Sequence, residues 1–370
     1  IKAAVAARAV EEAPFVNRRD PAQALGPDGK PAVSRRAKIW EDVPDEKWND
    51  WRWQLSKRLN TLEELEQVLN LTDDEREGLS APDKFRVDIT PYFVSLIDPD
   101  DPNDPIRRQV IPVGSELRAF TGMMEDSLAE DRHSPVPGLV HRYPDRVLLL
   151  ITTQCASYCR YCTRSRIVGD PTQNFNRREL EAQLDYIRRT PQIRDVLISG
   201  GDGLTLAPKL LESALRGLRE IPHVEIIRIG TRMPVVLPQR ITDGLVTMLR
   251  QFHPLWVNVH FNHPKEITAE AREACRKLAD AGFPLANQSV LLRGVNDHAD
   301  TLSTLSETLF EAGVLPYYLH QLDRVRGAAH FTVDDTRARA LIRALRARLP
   351  GYLVPRLVRE QAGEPAKTPL

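Results

Sequence analysis

Six short apolar runs, spaced by helix-patterned stretches, limit what this chain can become. They are RVLLLIT (146–152), DVLIS (195–199), VEIIRIG (224–230), LWVNVH (255–260), PLANQS (284–289) and VLPYYL (314–319). Among the stretches between them are RRELEAQLDYIRR, PKLLESALRGLRE, TDGLVTMLRQF and ITAEAREACRKLADAG, each with apolar residues at helical spacing. Strands separated by crossover helices form a parallel sheet, either doubly wound or rolled into a barrel. Polar residues decide between the two. Thr152, Ser199, Thr231, His260, Asn287 and Gln288 sit at the C-terminal ends of successive strands, and Asp323 lies just beyond the sixth. Barrel enzymes gather their chemistry at that rim. The expected fold is therefore α/β, a partial (β/α)6 barrel over residues 141–332.

The flanks differ in texture. Residues 1–37 are rich in Ala, Pro and Arg without sustained periodicity and read as an arm or tail. The chain opens at Ile1 rather than Met, so we expect a cut N-terminus; IKAAVAARAVEEAP matches neither a signal peptide nor a transit peptide. Residues 38–140 read as mainly helical. Trp40, Trp48, Trp51 and Trp53 are four of the five tryptophans and are expected to pack onto a domain face. Thr61 with Glu64 predicts a capping box, and Thr72 starts another helix. Residues 333–370 form a C-terminal segment. Charge is balanced, 51 Lys+Arg against 51 Asp+Glu, so no global field points to nucleic acid or membrane. No apolar run reaches the length of a membrane-spanning helix.

Three of the four cysteines fall in CASYCRYCTRSR (155–166), directly after the first strand. Four cysteines in 370 residues make no disulfide scaffold; clustered thiols here read as metal ligands in a reducing, cytoplasmic setting. Cys155, Cys159 and Cys162 have the spacing C-x3-C-x2-C. A structural zinc site wants four ligands and usually shows C-x2-C pairs. The fourth cysteine, Cys275, lies in the helical AREACRKL and reads as a small buried hydrophobe. Three thiolates suit a 4Fe-4S cube with one iron left open to a small molecule. Spacing alone leaves zinc as an alternative.

This cysteine motif, with Tyr161 before the last Cys, resembles that of the radical S-adenosylmethionine (SAM) enzymes. Their resemblance implies a partial barrel of radical SAM type, a 4Fe-4S cluster on Cys155, Cys159 and Cys162, and SAM on the open iron. ISGGDG at the second strand fits the same family: Ser199, Gly200, Gly201 and Asp202 would meet SAM, with Asp202 taking its ammonium, and His260 of HFNH would contact it too. Longer stretches narrow the likeness. IWEDVPDEKWNDWRWQ, SPVPGLVHRYPDRVLLLIT, REIPHVEIIRIGTRMPVVLPQRIT and NQSVLLRGVND are similar to the lysine 2,3-aminomutase family, and the likeness spans Ile39 to Leu370.

That family also uses pyridoxal 5′-phosphate (PLP), so the resemblance implies three further sites. Lys367, in EPAKTPL, matches the PLP lysine, although the glycines usual before it are thinned to Gly363. Arg142 and Arg146, with Tyr143, would hold the phosphate, since planar guanidinium forks suit a dianion; Gln288 would face the pyridine ring or SAM. Arg164 would take the substrate carboxylate. Asp323 and Glu360 would take a distal ammonium, Glu360 standing where lysine-specific members carry Asp. The implied activity is a 2,3-aminomutase (an isomerase) converting L-lysine to β-lysine. Arginine or ornithine as substrate, or the branch that supplies β-lysine for elongation factor P, are alternatives. Further ones are a radical SAM enzyme without PLP and an iron–sulfur electron carrier. A small-molecule amino acid as substrate, a flavodoxin or ferredoxin as reductant, and a homo-oligomer complete the expectation.

Overall fold

The structure, a computed structural model, describes residues 36–81, 86–118, 120–170 and 176–370. The expected arm, residues 1–37, lies outside them except for its last two residues. Nine strands form one sheet in sequential order. They are β1 Leu139–Tyr143, β2 Arg146–Leu150, β3 Asp195–Ser199, β4 Ile226–Thr231, β5 Leu255–Val259, β6 Leu285–Leu291, β7 Leu315–Gln321, β8 Arg356–Arg359 and β9 Thr368–Pro369. Strands β2 to β8 run parallel; β1 and β9 are antiparallel additions at the two edges. All six expected strands are present, and β1, β8 and β9 extend the sheet beyond them.

Crossover helices explain the parallel order. Arg177–Arg188, Pro208–Arg219, Asp243–Arg250, Ala269–Asp280, Ala299–Glu311 and Asp335–Arg346 each follow one strand, β2 to β7 in turn. Side chains alternate along a strand. In β3, Val196 and Ile198 are buried and join Leu211, Leu215 and Leu218 of the next helix in one core. Asp195, Leu197 and Ser199 face the other way and are only half buried. The sheet thus has an apolar back under helices and a more open inner face. Helix Asp335–Arg346 packs on β7 and β8 through Leu341, Ile342, Leu345, Leu319 and Leu357. The alternation therefore continues past residue 332, because β8 needs the same cover.

The sheet curls until its edges meet. Strand stagger brings the end of β8 beside β1, where Arg142 Nη1 and Tyr143 OH lie 3.1 and 3.0 Å from Glu360 Oε1. Side chains, not backbone ladders, close this seam.

The region before β1 has helical regular structure, but in short pieces of three to seven residues such as Lys38–Trp40 and Asp73–Leu79. Trp40, Trp48 and Trp51 are buried, and Trp48 sits 6.1 Å from Trp40 and 6.0 Å from Trp53 between ring centroids. Thr61 and Thr72 both make full capping boxes, with Glu64 and Glu75. Cys275 is buried in helix Ala269–Asp280, as its apolar neighbours predict. Among the described residues no helix is long and apolar enough to cross a membrane.

Two βα loops are locked together at the barrel rim. Gly201 N–H donates to Thr152 O (2.7 Å), and Asp202 N–H to Gln154 O (2.8 Å). A Cβ on Gly200, whose φ is +126°, would lie 2.2 Å from Thr152 O, and one on Gly201 2.2 Å from Gln154 O. Glycine is needed here for backbone-to-backbone approach. The loop after β3 is thereby fastened to the start of the cysteine loop. Gly201→Ala should lower the unfolding free energy by about 1–3 kcal/mol through forced displacement of this backbone. Gly351→Ala, whose Cβ would meet nothing within 4 Å, should stay within about 0.5 kcal/mol of the parent. Denaturant unfolding of both variants checks the contrast, and equal losses would contradict it.

Candidate active site

The cysteine loop leaves β2 at the rim. Its three thiols are free and half buried. Burial, reinforced by the neighbouring thiols, pushes Cys155 and Cys162 above the usual thiol range, Cys162 to about 11. Three thiols on one loop suit a cube, each thiolate of which binds a different iron. Arg58 Nη1 donates to Cys155 O (2.6 Å), and Arg232 Nη1 to Cys159 Sγ (2.9 Å). A cation against a ligand sulfur is compatible with thiolate bound to metal.

Arg232 anchors a buried polar cluster behind this loop. Its Nη2 meets Glu266 Oε1 at 2.7 Å and Gln109 Oε1 at 2.8 Å. Asn262 Nδ2 donates to Tyr161 OH at 2.6 Å and to Gln109 Oε1 at 3.0 Å. Tyr161 OH lies 2.9 Å from His260 Nε2, with the rings stacked at 5.7 Å. Burial, then Arg232 and His320, holds His260 well below the usual imidazole range, so it is neutral. Breaking a buried pair such as Arg232–Glu266 costs about 3–5 kcal/mol, so this cluster is rigid support for the cysteine loop.

The Asp202 carboxylate accepts from Thr231 Oγ1 at 2.8 and 2.9 Å, from Arg232 N at 2.7 Å and from Leu204 N at 3.0 Å. It ties the Gly-Gly loop to the end of β4. Ser199, Gly200 and Gly201 do lie at the rim beside the cysteine loop. Gln288 sits half buried in β6 at a register shift, paired with Tyr318.

The remaining expected residues gather at the seam. Lys367 precedes β9, and its Nζ donates to Glu360 Oε2; it also lies 5.9 Å over the Tyr318 ring. Glu360 thus holds Lys367, Arg142 and Tyr143 at once. Burial works to raise its pKa, but the Lys367 ammonium prevails and holds it below the usual range. Arg146 stacks 4.4 Å from the Tyr143 ring centroid. Arg142 Nε is buried without a partner, while Nη2 donates to the carbonyls of Gln361 and Glu364. The donor set (two arginines, a tyrosine and a lysine) fits an aldehyde-bearing phosphate ester such as PLP. Asp323, after β7, feels Glu360, Lys367, Arg164 and Glu130; burial first, then Glu360, pushes it up to about 7. His320 beside it falls to about 3, through burial and then Lys367.

Arg164 reaches the same mouth from the cysteine loop. Its Nε and Nη2 meet Glu130 Oε2 and Oε1 at 3.0 and 2.6 Å. Sequence reasoning missed Glu130, Arg232 and Gln109. Arg232 had a signal, its place after the fourth strand. Glu130 had none, being one acid among several in EDSLAEDR.

Comparison with known proteins agrees with this geometry. Residues 149–305 match the radical SAM superfamily. The chain is 52% identical over 339 residues to the L-lysine 2,3-aminomutase of Clostridium subterminale, covering 91% of this chain and 82% of that protein. It is 48% identical over 337 residues to the L-lysine 2,3-aminomutase of Bacillus subtilis, covering 91% and 72%. It is 41% identical over 327 residues to the glutamate 2,3-aminomutase of Clostridioides difficile, covering 88% and 77%. With its thiols on one rim loop and its lysine at the barrel seam, the chain belongs to the lysine 2,3-aminomutase family of radical SAM enzymes.

Proposed function

We propose that this chain moves the α-amino group of L-lysine to the β-carbon, giving β-lysine. The observation that carries the reading is the gathering of Asp323, Glu360, Lys367 and Arg164 at one barrel mouth. Two carboxylates there favour a side chain ending in a cation and disfavour glutamate, which would need a cation in their place. Arginine or ornithine remains a second reading, since both also end in a cation and Glu360 is one methylene longer than Asp.

Cys155, Cys159 and Cys162 would hold the 4Fe-4S cluster, with SAM at the adjoining rim beside Ser199, Gly200, Gly201 and His260. Arg142, Tyr143 and Arg146 would hold the PLP phosphate, and Lys367 the cofactor's aldehyde end. When bound, these groups supply a hydrogen-abstracting radical and a π-system that carries the migrating nitrogen. The protein's own part is placement and exclusion of water. Arg164 fixes the carboxylate end of the substrate, and Asp323 with Glu360 fixes the far ammonium. Glu360 already accepts the Lys367 ammonium, which supports the reading that this carboxylate can receive an ammonium. A flavodoxin or ferredoxin as reductant, a cytoplasmic setting and a homo-oligomer belong to the same proposal.

Anaerobic turnover tests it directly. Reconstituted protein with PLP, SAM, dithionite and L-lysine should yield β-lysine by chromatography and mass spectrometry. SAM cleavage without any amino-acid product would refute the assignment. Asp323→Ala or Glu360→Ala should lower kcat/KM for lysine by about tenfold or more, the loss expected when a charged hydrogen bond is removed.

Asp323 gives a pH prediction. Its folded pKa of about 7 lies above its ordinary value of 3.8. Between these values the folded protein keeps a proton that the unfolded chain has lost, so stability falls as pH rises through that window. The penalty is complete above the folded pKa. Asp323→Asn should therefore raise the melting midpoint at about pH 8 and leave it unchanged near about pH 4. Equal shifts at both pH values in thermal scans would contradict the linkage.

A further inference from the structure

The segment before the cysteine loop, residues 120–134, crosses between two parts of the mouth. At one end its backbone pairs with the loop carrying Asp323: Met124 N–H donates to Arg324 O (2.8 Å) and Arg326 N–H to Met124 O (2.9 Å). At the other end Glu130, whose side chain is 8% exposed, grips Arg164 with both oxygens. The turn presenting Glu130 is built for it. Ala129 has φ +54°, the one positive φ at a non-glycine among the described residues. Such a conformation is unfavourable for alanine and persists where its surroundings enforce it. Here Asp126 enforces it, accepting from the N–H groups of Glu130 and Asp131 at 3.0 Å each. Asp126 and Asp131 also face Arg166, at 3.5 and 2.8 Å.

We propose that Glu130 is a positioning residue that sets how Arg164 receives the substrate carboxylate; the inference rests on the reading of Arg164 given above. A guanidinium offers a carboxylate two useful edges, the Nε/Nη2 side and the Nη1/Nη2 end. Glu130 takes the side edge. Among the described residues Nη1 has no protein acceptor, so the end edge is the one presented to a ligand. Holding both ends of this segment also ties Arg164 to the Asp323 loop. The carboxylate receptor and the distal ammonium receptor are thereby set at a fixed separation, which selects for substrate length.

The test compares lysine with 1,5-diaminopentane, the same skeleton without a carboxylate, on the reconstituted holoenzyme. Cluster and PLP absorbance verify that each variant is loaded. Glu130→Gln should raise KM for L-lysine about tenfold or more with kcat much less affected, as loss of uniform binding predicts. The inhibition constant of diaminopentane should stay within about twofold, because it does not use Arg164. Glu130→Asp should fall between the parent and Glu130→Ala. An unchanged KM, or equal rises in both constants, would overturn the proposal and leave Glu130 a structural residue. Arg164→Lys runs in parallel: if it leaves the ratio of the two constants unchanged, the reading of Arg164 fails first and the proposal falls with it.

Discussion

The architecture depends on a carboxylate at a seam. A parallel sheet that curls without closing leaves two free edges, and free edges invite pairing with other chains. Here the edges carry antiparallel caps, β1 and β9, and Glu360 joins them by holding Arg142 and Tyr143 from one side and Lys367 from the other. The join uses the ionic groups proposed above for cofactor and substrate. An open sheet would not bring Lys367 to Arg142. Closure and the proposed site thus share one cluster of side chains.

A second cluster complements it from the other side of the mouth. Arg232, Glu266, Gln109, Asn262, Tyr161 and His260 form a buried network in which nearly every polar group is matched. Such networks are rigid when satisfied and costly when broken. This one reaches the cysteine loop through Tyr161, through the Cys159 sulfur and through the Gln109 backbone carbonyl, which accepts from Arg160 N–H at 2.9 Å. The loop is therefore held by the fold before any metal adds its own bonds.

Much of this could be read from the sequence, and the reasons for the rest are physical. The six central strands are buried on their helix-facing side, so they read as apolar runs. LVHRY, RLVR and TP, which form β1, β8 and β9, are short and partly polar, and only Leu139, Val140, Leu357 and Val358 among them are buried. The cysteine spacing was visible as a motif, whereas Lys367, Asp323 and Glu360 stood out only through the family resemblance. The contacts of Asp202 were not legible: it stands among the glycines of ISGGDG, and Thr231 and Arg232 reach it from the end of the neighbouring strand β4. Glu130 acts through a loop without periodicity, and only the three-dimensional course of that loop shows what it touches.

The fastening of Gly200–Asp202 onto Thr152–Gln154 bears on how such a chain can vary. Two βα loops that share backbone hydrogen bonds behave as one mechanical part. A residue inserted between β2 and Cys155 would have to shift the loop after β3 along with it, and through Asp202 the end of β4 as well. Insertions are accommodated only where a loop is attached to nothing else. Length changes in the first three rim loops would therefore have to come together rather than singly.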